Sequence, residues 1–334
     1  MKKITWNTEN IMAVLFFAAA FIFPMIFGDY TIDNFANFYV TILISLSITL
    51  IWGFTGVFSF GQAVFYGLGA YTYAIISIAS DGSLTIPAVL AAVAVAALAA
   101  AVLGYFIFYG RISNAFTGII TMSVATVMEL FMTQTSDGKW KIFGVPLGGF
   151  NGLNKIPAIS IADFKFRGTA FYLLVILILL AVFFFVKWIE KSNFGYALFG
   201  IRENKLRSEM FGYDVAKLQT VIFSISGALA GLAGALFASW SGYVVPSNFS
   251  VATSTIAVVM VAVAGRKNIT GTMIMTWIYC WFTQKLAATG SEYSQLILGV
   301  ILIIAVLFIP DGVMVALFKK LDTLPGKLSQ RRGG

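Results

Sequence analysis

Long apolar runs recur along almost the whole chain, and they restrict the fold more than any other feature of the sequence. A helix needs roughly 20 mostly apolar residues to cross the hydrocarbon core of a bilayer. Only 11% of the 334 residues are charged, which leaves no stretch with the composition of a second, soluble domain. The sequence therefore predicts an all-α polytopic membrane protein with a single domain, residues 1–334, and about ten transmembrane or partly re-entrant helices. We expect these at about 11–27, 37–55, 57–79, 86–109, 115–133, 169–187, 219–241, 253–265, 270–288 and 293–310.

Two residue types that serve most catalytic and metal sites are almost missing from the sequence. There is no histidine, and Cys280 is the only cysteine. Imidazole catalysis, histidine-ligated metals and disulfides within the chain are therefore excluded, and we expect neither a metal nor a cofactor. The chain also lacks the GxxxxGKS or GxxxxGKT pattern of a phosphate-binding loop. Hydrolysis of ATP through such a loop would have to come from another polypeptide.

The basic residues indicate an orientation in the membrane. With the amino terminus in the cytoplasm, most lysines and arginines fall on the cytoplasmic side, as the positive-inside rule requires. The net charge of +8 then reflects topology, and we expect membrane lipid but no nucleic acid as a partner. The first apolar run has no small-residue cleavage site and is interpreted as a retained span. The predicted cytoplasmic elements are Lys2, Lys3, Arg111, the 187–217 loop, Arg266, Lys267 and a tail over about 313–334. Both termini are therefore predicted to be cytoplasmic, and a segment at about 134–168 is predicted to lie outside.

A glycine-rich stretch, GFTGVFSFGQAVFYGLGAY at 53–71, interrupts the apolar sequence. Interrupted helices are tolerated at membrane depth where protein or a water-filled path surrounds them. The segment 253–265 is also unusual, because as a helix it would cover only ~20 Å. We therefore expect both segments near a translocation path. Small residues also let helices approach closely, and the glycines assigned to such packing are Gly53, Gly56, Gly61, Gly67, Gly227, Gly231 and Gly234.

Polar side chains within the apolar segments are the candidates for lining that path. An amide or carboxylate that faced lipid would lack hydrogen-bond partners, so it faces protein or water. For Gln62, path lining and interhelical hydrogen bonding are both compatible with the sequence. For Glu129, toward the outer end of its span, a structural carboxylate at the interface is the alternative to a functional one. The predicted path residues are Ser59, Gln62, Thr121, Ser123 and Glu129.

The predicted cytoplasmic loop at about 190–217 mixes charged and apolar residues. Leu206 and Met210 are spaced i and i+4, which predicts a short amphipathic helix that Gly212 terminates. An apolar stripe facing the cytosol favours a protein partner, although a solvated loop that only joins two spans is the alternative. The residues assigned to contact with that partner are Arg202, Glu203, Leu206, Met210 and Gly212.

Several stretches together resemble the permease subunits of ABC importers in the branched-chain amino acid and urea family. They are LIWGFTGVFSFGQAVFYGLGAY at 50–71, TGIITMSVATVMELF at 117–131, GGFNGLNKIP at 148–157, most of 199–250, and VMVAVAGRKNITG at 259–271. The resemblance covers about 40 to 312 and keeps the order of the motifs.

The resemblance implies a transporter subunit in the bacterial cytoplasmic (inner) membrane. Its implied partners are a second, paralogous permease, two ABC ATPase subunits, and an extracytoplasmic solute-binding protein for which 134–168 is a docking candidate. The 190–217 loop then couples ATPase movement to the membrane segments. A passive urea-type channel, an ion-coupled secondary transporter and a membrane enzyme are the rival classes, and the last lacks paired carboxylates at membrane depth.

The substrate is predicted from three features of the same motifs. LIWG, Gln62 and VAVAGR at 261–266 look closer to the urea branch of the family. A path lined by neutral polar groups also suits urea or a short amide, which carry no charge. Urea or a short amide is therefore the preferred interpretation, and a branched-chain amino acid is the alternative.

Overall fold

The computed structural model describes residues 8–161, 164–288, 299, 312–318 and 320, and it places most of them in helices. Apart from residue 299, the predicted span at 293–310 lies outside the described residues, as do Lys2, Lys3 and residues 321–334 of the predicted tail. The helices are α1 (Thr8–Ile26), α2 (Asp29–Ile48), α3 (Gln62–Ala79), α4 (Thr85–Tyr109), α5 (Asn114–Gln134), α6 (Thr169–Lys191), α7 (Asn193–Glu203), α8 (Lys205–Met210), α9 (Val215–Ser241), α10 (Val251–Ala264) and α11 (Ile269–Ala288).

Seven of the described helices are long and apolar enough to cross a membrane. They are α1, α2 with the turn that follows it, α3, α4, α5, α6 and α9. The prediction of an all-α polytopic membrane protein is confirmed. The predicted span at 253–265 corresponds to α10, which has only 14 residues.

The segment between α5 and α6 folds back on one end of the bundle, which we call the strand end. It contains two short hairpins, β1 (Lys141–Ile142) with β2 (Val145–Pro146) and β4 (Ser160–Ile161) with β5 (Phe164–Lys165). Between them, β3 (Leu153–Asn154) pairs antiparallel with β6 (Tyr243–Val244), which follows α9. Thr85 Oγ1, at the start of α4, donates to the Ser160 carbonyl at 2.9 Å. The strand end therefore joins the segment predicted to lie outside with the α3–α4 and α9–α10 connections.

The opposite end of the bundle carries α7 and α8 and an ion cluster. Lys187 Nζ lies 2.7 Å from Glu9 Oε1 and 3.0 Å from Glu190 Oε2. Thr270 Oγ1 also bonds Glu9, so the cluster links α1, α6 and the first turn of α11. The α6–α9 loop and the first residues of α1 and α11 therefore lie at the end opposite the strand end.

The centre of the bundle is formed by α2, α3 and α9, which pack at close range. An added Cβ at Gly69 would overlap the carbonyl oxygen of Gly231. One at Gly234 would overlap the carbonyl oxygen of Tyr66, and one at Gly227 would overlap Ala100 on α4. These contacts need glycine because backbone lies against backbone or a neighbouring Cβ. They hold α9 against both α3 and α4.

Candidate functional site

The most unusual backbone in the described residues is the connection between α2 and α3. After Ile48 the helix widens into a π-helical turn, Thr49–Gly53, and regular helix resumes only at Gln62. The predicted span at 57–79 is therefore wrong at its start, because 56–61 is not helical. The N–H and C=O groups of this break lie inside an apolar bundle, where unpaired backbone groups are costly. The break therefore needs partners from elsewhere in the chain.

Side chains from two neighbouring helices supply these partners. Thr121 Oγ1 of α5 accepts a hydrogen bond from the Phe60 N–H at 3.0 Å. Ser254 Oγ of α10 donates to the Phe60 carbonyl at 2.6 Å and accepts from the Ala63 N–H at 2.8 Å. Ser59 Oγ closes the turn by accepting from the Gly61 N–H at 3.0 Å. The break is thus held directly by α5 and α10.

Ser59 and Thr121, both predicted to line the path, are buried in this conformation and take part in that bonding. Ser254 was not predicted as a site residue. A serine near the start of an apolar segment does not indicate which backbone groups it will bond. Gly61 lies against Thr121, where an added Cβ would come within 3.2 Å of the threonine Cβ. Glycine at this position lets α5 reach the break.

The other end of the break is bound by Arg202 of α7. Its guanidinium Nη1 donates to the Gly53 carbonyl at 2.5 Å, and its carbon Cζ lies 5.1 Å from the centre of the Phe199 ring. Gly56 has φ +75°, and an added Cβ there would lie 3.0 Å from Arg202 Cγ. The side chain is only 12% exposed. Arg202 therefore points into the membrane domain, and its guanidinium caps the end of the π-helical turn.

Glu203 extends this contact to the connection that follows α10. Its Oε1 lies 3.0 Å from Arg202 Nη2 and 3.7 Å from Lys267 Nζ. The hydrogen bond and charge of Arg202, together with the charge of Lys267, lower the pKa of Glu203. An added Cβ at Gly53 would overlap the carbonyl oxygen of Arg266. The start of the break, α7 and the end of α10 therefore meet at one place, which we call the junction: Gly53, Arg202, Glu203, Arg266 and Lys267.

Gln62 occupies the position that the sequence left open between two roles. Its Nε2 donates to Ser226 Oγ of α9 at 3.0 Å, and its Oε1 accepts from Ser47 Oγ of α2 at 3.3 Å. Ser226 Oγ in turn donates to the Ser47 carbonyl at 2.6 Å. The amide is fully buried and bridges three helices, as interhelical hydrogen bonding requires.

One side of α5 carries polar groups that are exposed on the bundle surface. Ser123 and Thr126 are exposed and Glu129 is partly exposed. Thr121 is buried whereas Ser123 is exposed, because residues two apart on a helix point to nearly opposite sides, and lining of a path by either residue stays a prediction. Thr126 was missed, although its spacing of three residues from both Ser123 and Glu129 could have indicated it. Ser123, Thr126 and Glu129 form what we call the α5 polar stripe.

The loop between α6 and α9 contains two short helices rather than one. Asn204 separates them: its side chain accepts from the Arg207 N–H at 2.9 Å and so starts α8. Leu206 is 69% exposed and Met210 is 86% exposed, on the outside of the bundle. Gly212, with φ +84°, follows the end of α8. An exposed apolar surface therefore lies one short turn away from the junction.

Comparison with known proteins gives a family match over most of the chain. Residues 30–306 match the family model described as branched-chain amino acid transport system / permease component. The high-affinity branched-chain amino acid transport system permease protein LivM of Escherichia coli (strain K12) is 24% identical over 333 residues, which cover 92% of this chain and 75% of that protein. No solved structure matches the chain.

Two proteins of Methanocaldococcus jannaschii show similar relationships. Its probable branched-chain amino acid transport permease protein LivM is 21% identical over 318 residues, which cover 81% of this chain and 89% of that protein. Its probable branched-chain amino acid transport permease protein LivH is 29% identical over 169 residues, covering 48% of this chain and 53% of that protein. The chain is thus similar to two differently named permease proteins of one organism.

Proposed function

We propose that this chain forms one half of the membrane path of an ATP-driven importer for branched-chain amino acids. The chain belongs to the family of branched-chain amino acid transport system permease components. The observation that carries this proposal is the family match over residues 30–306. The chain is a multi-pass membrane transporter subunit and not an enzyme.

The substrate proposed here differs from the preferred interpretation of the sequence. The comparisons do not support urea or a short amide; they favour the branched-chain amino acid alternative. The hydrogen bonds of Gln62 agree with this change. Its amide is used in a bridge to Ser47 and Ser226 and is not open to a neutral solute in this conformation.

The α5 polar stripe supports a path shared with a second chain. Ser123, Thr126 and the partly exposed Glu129 lie on the surface of α5, which is long and apolar enough to cross a membrane, and a carboxylate facing lipid is unfavourable. A second permease that covers this side of α5 would leave the stripe facing a path between the two chains. The similarity to both LivM and LivH proteins agrees with a paralogous pair.

Coupling to the ATPase subunits is assigned to α7, α8 and the junction. In this proposal the exposed apolar side chains of Leu206 and Met210 contact the ATPase on the cytoplasmic side. Movement of α7 then displaces Arg202 and, through the Gly53 carbonyl, the π-helical turn at the start of the break. Because the break is also bonded to Thr121 and Ser254, its movement changes the positions of α5 and α10. The strand end faces outward in this orientation and receives the solute-binding protein.

The proposal is tested by uptake in proteoliposomes that contain the complete complex, with the partner permease, the ATPases and the binding protein. We expect ATP-dependent accumulation of labelled leucine, isoleucine or valine, and no accumulation of labelled urea. A complex with hydrolysis-deficient ATPases is the control, and it should accumulate neither solute. Urea uptake without leucine uptake, or uphill transport without any ATPase, would contradict the proposal.

A further inference from the structure

A cleft of about 550 Å³ opens at the strand end, away from the α5 polar stripe. Volumes between about 300 and 1,000 Å³ are typical of sites for small molecules. Its walls come from the first turns of α2 and α6, the last turn of α9 and the segment before α6. The lining residues on which the inference depends are Asp33, Phe166, Arg167, Phe171 and Trp240.

Two groups of opposite charge line this cleft without forming a salt bridge. Among the described residues, no basic group lies within 4.0 Å of the Asp33 carboxylate and no carboxylate lies within 4.0 Å of the Arg167 guanidinium. Asp33 is partly buried on α2, and Arg167 precedes α6 on an exposed turn. The described lining of the cleft offers one cationic and one anionic side chain, which matches a small molecule that carries both charges.

The rest of the cleft combines the side chains of Ile156, Phe166, Phe171 and Trp240 with two serines, Ser239 and Ser241, and hydrogen bonds hold it in place. Trp240 Nε1 donates to the Asp33 carbonyl at 2.9 Å, which fixes the end of α9 against α2. The Ile156 N–H donates to the Gly242 carbonyl at 3.0 Å and closes the side opposite α6. Phe171 is buried and Phe166 is partly buried, and both residues line the cleft.

We infer that this cleft binds a free α-amino acid with an apolar side chain, at a site separate from the path between the permeases. The ligand ammonium pairs with Asp33, its carboxylate pairs with Arg167, and its side chain packs against Phe166 and Phe171. The inference rests on the proposed amino acid function, because the ligand belongs to the class of the transported solute. Because the strand end faces outward in the proposed orientation, an amino acid bound in this cleft is held outside the path between the permeases.

The test is calorimetric titration of the complete complex, without binding protein, with L-leucine, leucinol and 4-methylpentanoate. Leucinol lacks the carboxylate and 4-methylpentanoate lacks the ammonium group. We expect leucine to bind and each analogue to bind at least roughly tenfold more weakly, since each loses a charge-assisted hydrogen bond. Equal binding of leucine and leucinol, or no binding of leucine, would overturn the inference. This test uses the unmodified protein, so misfolding of a variant cannot affect the result.

Substitutions then locate the site. Asp33→Asn and Arg167→Gln should each weaken leucine binding at least roughly tenfold, and Arg167→Gln should leave leucinol binding unchanged. Lys165→Gln, an exposed basic residue of the same segment that does not line the cleft, is the matched control. Leucine binding unaffected by Asp33→Asn and Arg167→Gln would place the ligand elsewhere and overturn the inference.

If Arg167→Gln abolishes docking of the binding protein and leucine does not bind, the cleft serves that protein instead. Leucine uptake by the same complex is measured in parallel, so that loss of this site is distinguished from failure of the proposed function.

Discussion

Replacing Arg202 with methionine is expected to uncouple ATP hydrolysis from uptake while the complex still assembles. The guanidinium donates to the Gly53 carbonyl, and methionine keeps an unbranched apolar stem without that donor. A charge-assisted hydrogen bond of ~1.5–3 kcal/mol corresponds to a loss of roughly 10- to 100-fold in the population of the coupled state. The measurement is the ratio of leucine taken up to ATP hydrolysed in proteoliposomes.

Arg266→Met is the matched control for this experiment. Arg266 also lies at the junction, but its side chain is exposed and only its backbone carbonyl faces Gly53. If uptake per ATP falls equally in both variants, loss of positive charge rather than loss of the contact with Gly53 is responsible. An Arg202→Met complex with an unchanged ratio would remove Arg202 from the coupling mechanism.

Gly69→Val is expected to prevent stable folding of the bundle. An added Cβ at Gly69 would overlap the carbonyl oxygen of Gly231 and lie 2.5 Å from its Cα, so α3 and α9 would have to separate. Overpacking costs about 1–3 kcal/mol where side chains can move, and here the obstacle is backbone, so we expect a cost at or above the top of that range. The measurement is the yield of monodisperse protein and its midpoint of thermal unfolding in detergent.

Gly28→Ala is the control for the loss of a glycine from this chain. Gly28 precedes α2, has no atom within 4 Å of an added Cβ and lies outside the left-handed region of φ. Its substitution should leave the yield and the unfolding midpoint unchanged. A Gly69→Val protein that is as stable as Gly28→Ala would show that α3 and α9 do not make the close backbone contact at Gly69 and Gly231.

The interruption of the second apolar region could be predicted from the sequence, because glycines, a serine and a glutamine within an apolar run are incompatible with an ordinary lipid-facing helix. The partners of the interruption could not be predicted. Thr121, Ser254 and Arg202 are remote in sequence from Phe60 and Gly53, and their hydrogen bonds exist only after α5, α7 and α10 have packed. Local patterns carry no information about such long-range contacts.

The same limit applies to Gln62. Polarity alone left Gln62 open between lining a path and bridging helices. The serines that bond it lie on α2 and α9, and neither serine by itself indicates the contact. The direction of Ser123 could have been predicted, since helical geometry already separates it from Thr121. The substrate could not be predicted from the sequence motifs, because the family that they indicate includes permeases for different solutes.

The account depends on alternating exposure of the α5 polar stripe, driven from the junction. Cys280 is the only cysteine, so Cys280→Ser gives a background in which Thr126→Cys carries the only thiol. A membrane-impermeant thiol reagent is applied from either side of proteoliposomes, with and without trapped nucleotide. The account predicts that Thr126→Cys reacts from one side without nucleotide and from the other side when nucleotide is trapped, and that Arg202→Met abolishes this change. Reaction from the same side in both states, or no reaction in either, would contradict it.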